Sequence, residues 1–268
     1  MLGEELASAE VDLHGVVGDR RFALIDDETG KVISVKRPAR WGRIFELTAT
    51  TQGDTVVVGF PTGDVRAIDE PDLPEQLSAF FGRAVSIADQ PPPDATFDEA
   101  WRRELKDGAA PYFGLPSRVE EEGEELIDGG QFMSEQNSFF NFGAVHLVTT
   151  GTTDRLRELA PDSRFDPHRF RPNIVVETPG GGFVETAWQA RTLAIGDVRL
   201  AVSFTVPRCV MTTLAQDGLP ADPDVLRTIT RHNSVDPGWG TRYPCVGVYA
   251  DVAQPGAIRV GDTVELLP

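Results

Sequence analysis

The sequence contains two cysteines, and one of them, Cys209, follows a segment with the pattern of a β-strand. In residues 198–206 apolar side chains occupy every second position, which predicts a strand with one face on a core. Pro207 predicts the end of that strand, so Arg208 and Cys209 are expected to project from the turn that follows. A guanidinium beside a thiol stabilises the thiolate, the form that attacks electrophiles and binds soft metal ions. The alternative is a buried cysteine that packs as a small apolar side chain.

Other patterns that would carry chemistry are absent from the sequence. It has no C-x-x-C and no H-E-x-x-H motif, so we expect no zinc site, and its four histidines show no ligand spacing. The glycine run at residues 180–182 has no Lys-Ser or Lys-Thr after it, so it predicts a flexible hairpin and not a phosphate loop. Two cysteines form no disulfide framework, and in a reducing compartment both are expected to stay unoxidised.

Composition narrows the classes of protein that remain. A chain of 268 residues, 40% hydrophobic and 25% charged, can bury one large core or two modest ones. A net charge of −17 disfavours binding to nucleic acid and to anionic membranes. No apolar segment reaches the length of a membrane span, and the acidic first residues do not resemble a secretory signal. We therefore expect a cytoplasmic protein that binds neither nucleic acid nor membrane.

Residues 1–89 are predicted to form a small β-barrel-like domain. Short strand segments alternate there with turn residues, and a helix is predicted where Asp72 can act as N-cap and Glu75 can complete a capping box. Residues 90–137 have three consecutive prolines, an acidic run and little apolar periodicity, so they are interpreted as a connecting or covering segment. The predicted strands of the first domain are 22–25, 32–35, 44–48, 55–58 and 85–88.

Residues 138–268 alternate again and are predicted to form a second β-barrel with peripheral helices. Gly196-Asp197 and Gly261-Asp262 have the type and spacing of hairpin turns, and helices are expected near residues 153–160 and after Asp222-Pro223. The fold class is therefore mostly β, within the α+β class. The predicted strands of this domain are 145–149, 173–176, 192–195, 198–204, 246–252 and 263–266.

An ordered set of motifs surrounds Cys209, and together they resemble the MOSC family, the molybdenum cofactor sulfurase C-terminal domains. The resemblance covers roughly the final half of the chain. The motifs are residues 170–176 (FRPNIVV), Trp188, residues 195–198 (IGDV), 207–213 (PRCVMTT), 247–249 (GVY) and 256–262 (GAIRVGD).

A second resemblance lies in the first half of the chain. Residues 18–25 (GDRRFALI) and 35–37 (VKR) look like the N-terminal β-barrel domain that accompanies MOSC domains in the amidoxime-reducing proteins. Members of that group carry an earlier strand with a Lys-Ser pair before a segment like residues 2–6. We therefore expect the natural protein to begin upstream of Met1, and the first barrel here to lack its first strand.

The resemblance implies a site for a pyranopterin molybdenum cofactor. Cys209 would bind molybdenum through sulfur, and three arginines would hold the phosphate and pterin, for which a planar guanidinium with five donors is suited. An arginine of this acidic chain can equally pair with carboxylates at the surface. The three arginines in motif positions are Arg20, Arg171 and Arg208.

Three further residues are candidates to contact the cofactor, and each has a structural alternative. The Asn173 amide can bond the pterin edge or a strand-end backbone group. Tyr249 is predicted on the strand face opposite the one that Val246 and Val248 share, and it can face the cofactor or a core. Thr149 precedes a helix start, where its hydroxyl can receive a phosphate or cap the helix, and capping is favoured.

The resemblance implies an enzyme, a molybdenum-dependent reductase of N-hydroxylated or other N-oxygenated small molecules. Electrons would come from a separate flavin or iron–sulfur protein, since no haem, iron–sulfur, zinc or pyridoxal phosphate site is expected in this chain. The chain has no room for the pyridoxal phosphate domain of a complete cofactor sulfurase. One alternative is a sulfur or cofactor carrier that uses Cys209 as a persulfide site, and another is an interaction protein with a degenerate site.

Overall fold

The computed structural model describes residues 1–101, 117–120, 125–129 and 139–267. The chain divides into two compact units, each assembled from separate stretches of sequence. The first consists of Met1–Glu5, Arg20–Phe139 and Ala215–Gly218, and the second of Leu6–Asp19, Phe140–Leu214 and Leu219–Pro268.

Strands dominate both units, which confirms the predicted mostly β class. The strands are β1 (Ser8–Asp12), β2 (Gly15–Val16), β3 (Ala23–Asp26), β4 (Lys31–Val32), β5 (Thr48–Gln52), β6 (Thr55–Gly59), β7 (Val65–Ala67), β8 (Val85–Ala88), β9 (Asp98–Trp101), β10 (Ser117–Val119), β11 (Glu125–Asp128), β12 (Val145–Thr149), β13 (Ile174–Val176), β14 (Thr192–Ile195), β15 (Val198–Pro207), β16 (Ser234–Val235), β17 (Tyr243–Gln254), β18 (Gly256–Arg259) and β19 (Val264–Leu267). The α-helices are α1 (Pro38–Trp41), α2 (Leu73–Phe81), α3 (Thr150–Leu159) and α4 (Asp224–His232), and the 3₁₀ segments are Gly42–Glu46, Pro167–Phe170, Val184–Trp188 and Val210–Thr213.

The first unit contains three small antiparallel sheets, ordered β4-β3-β8, β5-β6-β7 and β10-β11-β9. Helix α2 buries Leu73 and Leu77, as its apolar spacing predicts, and ends at Gly82 with a left-handed backbone. The predicted capping box is wrong, because the Asp72 carboxylate accepts from the Gln76 side chain and caps no backbone N–H.

The predicted strand at residues 44–48 is also wrong. Residues 44–46 belong to the 3₁₀ segment Gly42–Glu46, and β5 begins only at Thr48. Ile44, Phe45 and Leu47 are all buried, so the apolar run has no two-residue alternation to distinguish strand from helix. The strand predicted at residues 32–35 ends early at Val32, since the Ser34 hydroxyl accepts from the Lys36 N–H and turns the chain.

The segment at residues 90–137 contains structure that its sequence pattern did not predict. Its described residues include the antiparallel strands β9, β11 and β10. Lys31 of β4 donates to Asp98 at 2.5 Å and so ties this sheet to another sheet of the first unit. Within the sheet, Arg118 donates to Asp98 at 2.6 Å. The domain boundaries, and the connecting or covering role of this segment, stay predictions. Its aromatic residues Tyr112 and Phe113 lie outside the described residues.

The second unit is built on one large sheet with the strand order β13-β12-β17-β15-β14-β19, to which β16 adds along β17. This sheet curls into a half-barrel. Apolar side chains of its inner face form one core, with Leu147, Leu200 and Val248 fully buried. On the other face, helices α3 and α4 pack over Val148 and Val246. A separate sheet, β18-β1-β2, pairs the early strand β1 with a strand near the C-terminus.

Only one of the two predicted hairpin turns is a hairpin. Gly196, with φ +53°, joins β14 to its antiparallel neighbour β15, as predicted. The prediction at Gly261-Asp262 is wrong, because β18 pairs with β1 whereas β19 pairs with β14. The same apolar-glycine-apolar pattern therefore forms a hairpin turn at Gly196 and, at Gly261, a connection between strands of two different sheets.

Three register shifts interrupt the pairing of β15 with β17, one next to Arg199 and two β-bulges further along β15. Val202 pairs with Ala250 and Phe204 with Tyr249, so Ser203 is an extra residue on β15. The predicted strict alternation through residue 206 is therefore wrong at Phe204. Val202 belongs to the inner core, whereas the Phe204 ring contacts the Tyr249 ring with centroids 5.6 Å apart.

The second bulge lies at Gly247 on β17, which has φ +83°. Thr205 pairs with Val248 and Pro207 with Cys245, so β17 has one more residue than β15 between these two pairs. As a result Val246 belongs to the core under the helices, whereas Val248 belongs to the inner core. The prediction that these two valines share one face is wrong for this reason.

Gly247→Ala is expected to destabilise the fold strongly. A Cβ at this position would overlap the His146 ring and the Leu147 carbonyl oxygen in addition to straining a left-handed backbone. We expect a loss of roughly 3 kcal/mol or more in the free energy of unfolding, measured by urea denaturation. Gly240→Ala is the control, because Gly240 has a similar φ of +77° but open space around its Cβ position. It should lose roughly 1 kcal/mol, and equal losses in both variants would contradict the steric account.

Candidate functional site

Cys209 lies directly after β15, which ends at Pro207 as the sequence predicts. It has an extended backbone and begins the 3₁₀ segment Val210–Thr213. Its carbonyl oxygen accepts from the N–H of Thr212 at 3.3 Å and from the Thr212 hydroxyl at 3.1 Å. The Cys209 side chain is half-buried, so the turn leaves part of it accessible.

The second cysteine, Cys245, has a different environment. Its side chain is 1% exposed, and burial raises the pKa of its thiol to about 11. Its backbone is paired with Asn233, which donates its amide to the Cys245 carbonyl at 2.8 Å. A buried thiol that stays protonated at neutral pH is a poor nucleophile and a poor metal ligand. Of the two cysteines, Cys209 is therefore the one suited to chemistry.

Arg208 is buried and points back into its own unit. Its guanidinium donates to the Phe170 carbonyl at 2.9 Å and lies over the Phe170 ring at 5.6 Å. Its backbone N–H donates to the Pro244 carbonyl, which holds the end of β15 against β17. These contacts fix the residue before Cys209, and a cofactor contact by Arg208 stays a prediction.

Arg171 and Asn173 lie just before β13. Arg171 has a left-handed backbone with φ +52°, a conformation that is uncommon for residues other than glycine and clusters at functional sites. The Asn173 amide oxygen accepts from the His146 N–H at 2.9 Å, and its nitrogen donates to Asp19 at 2.7 Å. The structural alternative for Asn173 is thus what the structure shows, and its cofactor role stays a prediction.

His146 lies at the centre of this group, although its sequence context indicated no role for it. Its ring is buried, with Nδ1 3.4 Å from the Arg171 carbonyl oxygen and Nε2 3.4 Å from the Val246 carbonyl oxygen. The Tyr249 ring lies 5.4 Å away, on the neighbouring strand β17. Through His146 the structure brings together Arg171, Asn173 and Tyr249.

Aromatic side chains continue this row across the sheet. Phe204 on β15 lies beside Tyr249, and Trp239 packs against Phe204 with centroids 5.3 Å apart. Trp239 also stacks on Phe142 at 5.6 Å and contacts Tyr243. The two bulges of β15 and β17 turn Phe204 and Tyr249 toward this side and away from the inner core.

Thr149 caps helix α3 with its hydroxyl, which accepts from the Thr152 N–H at 3.1 Å. The same hydroxyl donates to the Glu185 carboxylate at 2.7 Å. Capping, the favoured alternative, is thus observed, and a phosphate contact by Thr149 stays a prediction. Helix α3 begins at Thr150, three residues earlier than predicted, because this cap lies at the end of β12.

Glu185 is a buried acid that the sequence pattern did not indicate. It is 1% exposed and accepts from the hydroxyls of Thr149 and Thr152 and from the Gly247 N–H at 3.2 Å. Burial raises the pKa of its carboxyl group, and the hydroxyl hydrogen bonds oppose that rise. Glu185 therefore links the start of α3 to the bulge that orients Tyr249.

Arg20 belongs to the first unit, whereas the residues around His146 belong to the second. Like Arg171 it has a left-handed backbone, with φ +49°. Its cofactor role stays a prediction. Across the described residues, no three or more His, Cys, Asp and Glu side chains are arranged to hold a metal ion. No helix among them is long and apolar enough to cross a membrane, and the cytoplasmic location stays a prediction.

Glu185→Gln is expected to change how stability depends on pH. The folded protein raises the pKa of Glu185 above its ordinary value of 4.5, so its contribution is complete below that value and is lost as the pH rises through the folded pKa. The wild type should therefore lose stability relative to the glutamine variant as the pH rises from 4.5. Urea denaturation of both proteins across this range measures the difference, and a wild type that gains stability relative to the variant with rising pH would contradict the prediction.

The sequence matches the MOSC domain family model over residues 134–265. It is similar to mitochondrial amidoxime-reducing component 1 of Mus musculus, with 36% identity over 110 residues that cover 40% of this chain and 32% of that protein. Similarity to mitochondrial amidoxime reducing component 2 of Bos taurus is 37% over 101 residues, covering 36% of this chain and 29% of that protein. The matched region thus spans about a third of these relatives' own length.

Among solved structures, the YUAD protein from Bacillus subtilis aligns with 58% of this chain and 76% of its own, at 16% identity. Its TM-score of 0.39 is too low to support an argument. The family match and the curated relatives both fall on the part of the sequence that carries the ordered motifs around Cys209. This chain carries a MOSC domain over residues 134–265.

Proposed function

We propose that this protein binds a pyranopterin molybdenum cofactor through Cys209 and reduces N-hydroxylated or other N-oxygenated small molecules. The observation that carries the proposal is the contrast between the two thiols, since Cys209 is half-buried at a strand end of the MOSC domain and Cys245 is sealed in the core. The names of the curated relatives, amidoxime-reducing components, support the choice of substrate class.

The residues of the second unit fit such a cofactor. A thiolate is a soft ligand suited to molybdenum, and the cofactor itself would supply the other metal ligands. When bound, the cofactor would supply the two-electron redox chemistry. Arg171 and Arg208 of the second unit are the candidates to hold its phosphate and pterin.

Several residues of the second unit would act by keeping these groups in place. Arg208 is fixed by the Phe170 carbonyl, and the buried His146 ring lies between the backbone carbonyls of Arg171 and Val246. The Asn173 amide fastens β13 to the His146 backbone. A site held by such contacts needs little reorganisation when a ligand binds.

The proposed reaction breaks the N–O bond of the substrate and releases the oxygen as water. It consumes two electrons and two protons, so that a hydroxylamine becomes an amine. A separate donor protein, with a flavin or an iron–sulfur centre, would supply the electrons.

Cys209→Ser is expected to lower the molybdenum content of the purified protein by about tenfold or more, because the alkoxide of serine is a poor replacement for a soft thiolate. The measurement is molybdenum per protein by mass spectrometry after expression in a host that makes the cofactor. Cys245→Ala is the matched control and should retain the metal, since that thiol is buried. Equal molybdenum in the wild type and Cys209→Ser would exclude Cys209 as the ligand.

A measurement of reductase activity distinguishes an enzyme from a carrier of sulfur or cofactor. Protein loaded with cofactor should reduce a model amidoxime or hydroxylamine when dithionite and a viologen dye supply electrons, and the Cys209→Ser variant should not. Bound cofactor without turnover would contradict the reductase and favour a sulfur or cofactor carrier that uses Cys209 as a persulfide site.

A further inference from the structure

Arg169, two residues before Arg171, is fully buried, with 0% of its surface exposed. It lies in the 3₁₀ segment Pro167–Phe170, and its guanidinium donates only to backbone carbonyl oxygens among the contacts described. The four acceptors are Pro220 at 2.7 Å, Arg164 at 2.8 Å, Leu214 at 3.2 Å and Thr212 at 3.3 Å.

Two of these acceptors belong to the turn that Cys209 begins. Thr212 donates both its N–H and its hydroxyl to the Cys209 carbonyl, so Arg169 is two hydrogen bonds away from the cysteine backbone. Leu214 directly follows the same 3₁₀ segment, Val210–Thr213. The turn is therefore anchored from outside by one guanidinium at two points.

The opposite side of the turn is anchored in a reciprocal way. Arg208, which precedes Cys209, donates to the carbonyl of Phe170, the neighbour of Arg169. Arg169 thus reaches from the 3₁₀ segment Pro167–Phe170 to the turn after Cys209, and Arg208 reaches from the start of that turn to Phe170. Cys209 lies between the two anchored stretches.

Burying the charged Arg169 side chain costs desolvation free energy that an apolar side chain would not cost. Burial lowers the pKa of its guanidinium, and Asp166 and Asp222 act on it only through longer-range charge attraction. A planar group with five donors can bond four carbonyls at once, which a lysine ammonium cannot do in the same plane. The geometry at Arg169 therefore matches the task of holding several backbone segments in fixed positions.

We propose that Arg169 is a positioning residue for Cys209, and that its hydrogen bonds to the Thr212 and Leu214 carbonyls fix the turn that presents the thiol. This presentation is a property of the protein chain by itself. Its consequence for the metal, a thiol held in place for molybdenum, rests on the proposed function.

The test compares thiol alkylation in the full chain, expressed in a strain that makes no molybdenum cofactor. Iodoacetamide is added under native conditions to the wild type and to the Arg169→Gln and Arg169→Lys variants, and the rates at both cysteines are followed by mass spectrometry. Arg157→Gln is the matched control, because exposed Arg157 donates to a single carbonyl, that of Phe165. Buried Cys245 reports opening of the whole core in every sample.

Arg169→Gln should be alkylated at Cys209 about tenfold faster than the wild type, since a released turn exposes the half-buried thiol. Cys245 should stay unmodified, Arg169→Lys should fall between the two, and Arg157→Gln should match the wild type. An unchanged or slower rate at Cys209, or modification of Cys245 in step with Cys209, would overturn the proposal. If Arg169→Gln does not fold, the lysine variant decides by the same criteria.

This experiment is independent of the proposed function, because no cofactor is present. Equal molybdenum in the wild type and Cys209→Ser would reject the metal ligand and leave the positioning result intact. A negative alkylation result with normal loss of molybdenum in Cys209→Ser would reject only the positioning role.

Discussion

The pairing of β15 with β17 is the constraint on which the rest of the second unit depends. These two long strands form the middle of its large sheet, and bulges at Ser203 and at Gly247 interrupt their pairing. A bulge moves one side chain to the other face of a sheet while the neighbouring residues stay paired. Residues on both sides of the bulges, such as Val202 and Val248, therefore pack in the inner core. Phe204 and Tyr249 face the other side of the sheet, where His146 lies.

Two buried ionisable groups hold this arrangement through hydrogen bonds to neutral partners. Glu185 accepts from two hydroxyls and the Gly247 N–H, and Arg169 donates to four backbone carbonyls. Hydrogen bonds of this kind are directional and lose much of their strength when geometry changes. They favour one conformation of the bulge and of the cysteine turn, whereas apolar contacts alone tolerate small shifts.

The first unit relies on charge in a different way. Its sheet of β9, β10 and β11 is attached by the ion pair of Asp98 with Lys31 at 2.5 Å and by the buried pair of Glu99 with Lys36 at 3.0 Å. Desolvation acts to raise the pKa of Asp98, but the cationic side chains of Arg118 and Lys31 outweigh it and hold that pKa below its ordinary value. The charged residues of this acidic chain thus contribute inside the fold as well as at its surface.

Much of the architecture followed from the sequence by itself. The sequence predicts the mostly β class, the strands at residues 145–149 and 192–195, and the strand end before Cys209, because these features depend on local alternation and on proline. It also contains the ordered MOSC motifs, which depend on residue order alone. The tertiary structure alone decided which cysteine is buried, which arginine anchors the turn, and that Glu185 supports Gly247. Those outcomes depend on partners far apart in the chain, and a bulge is set by the pairing of two strands, which the periodicity of one strand cannot report.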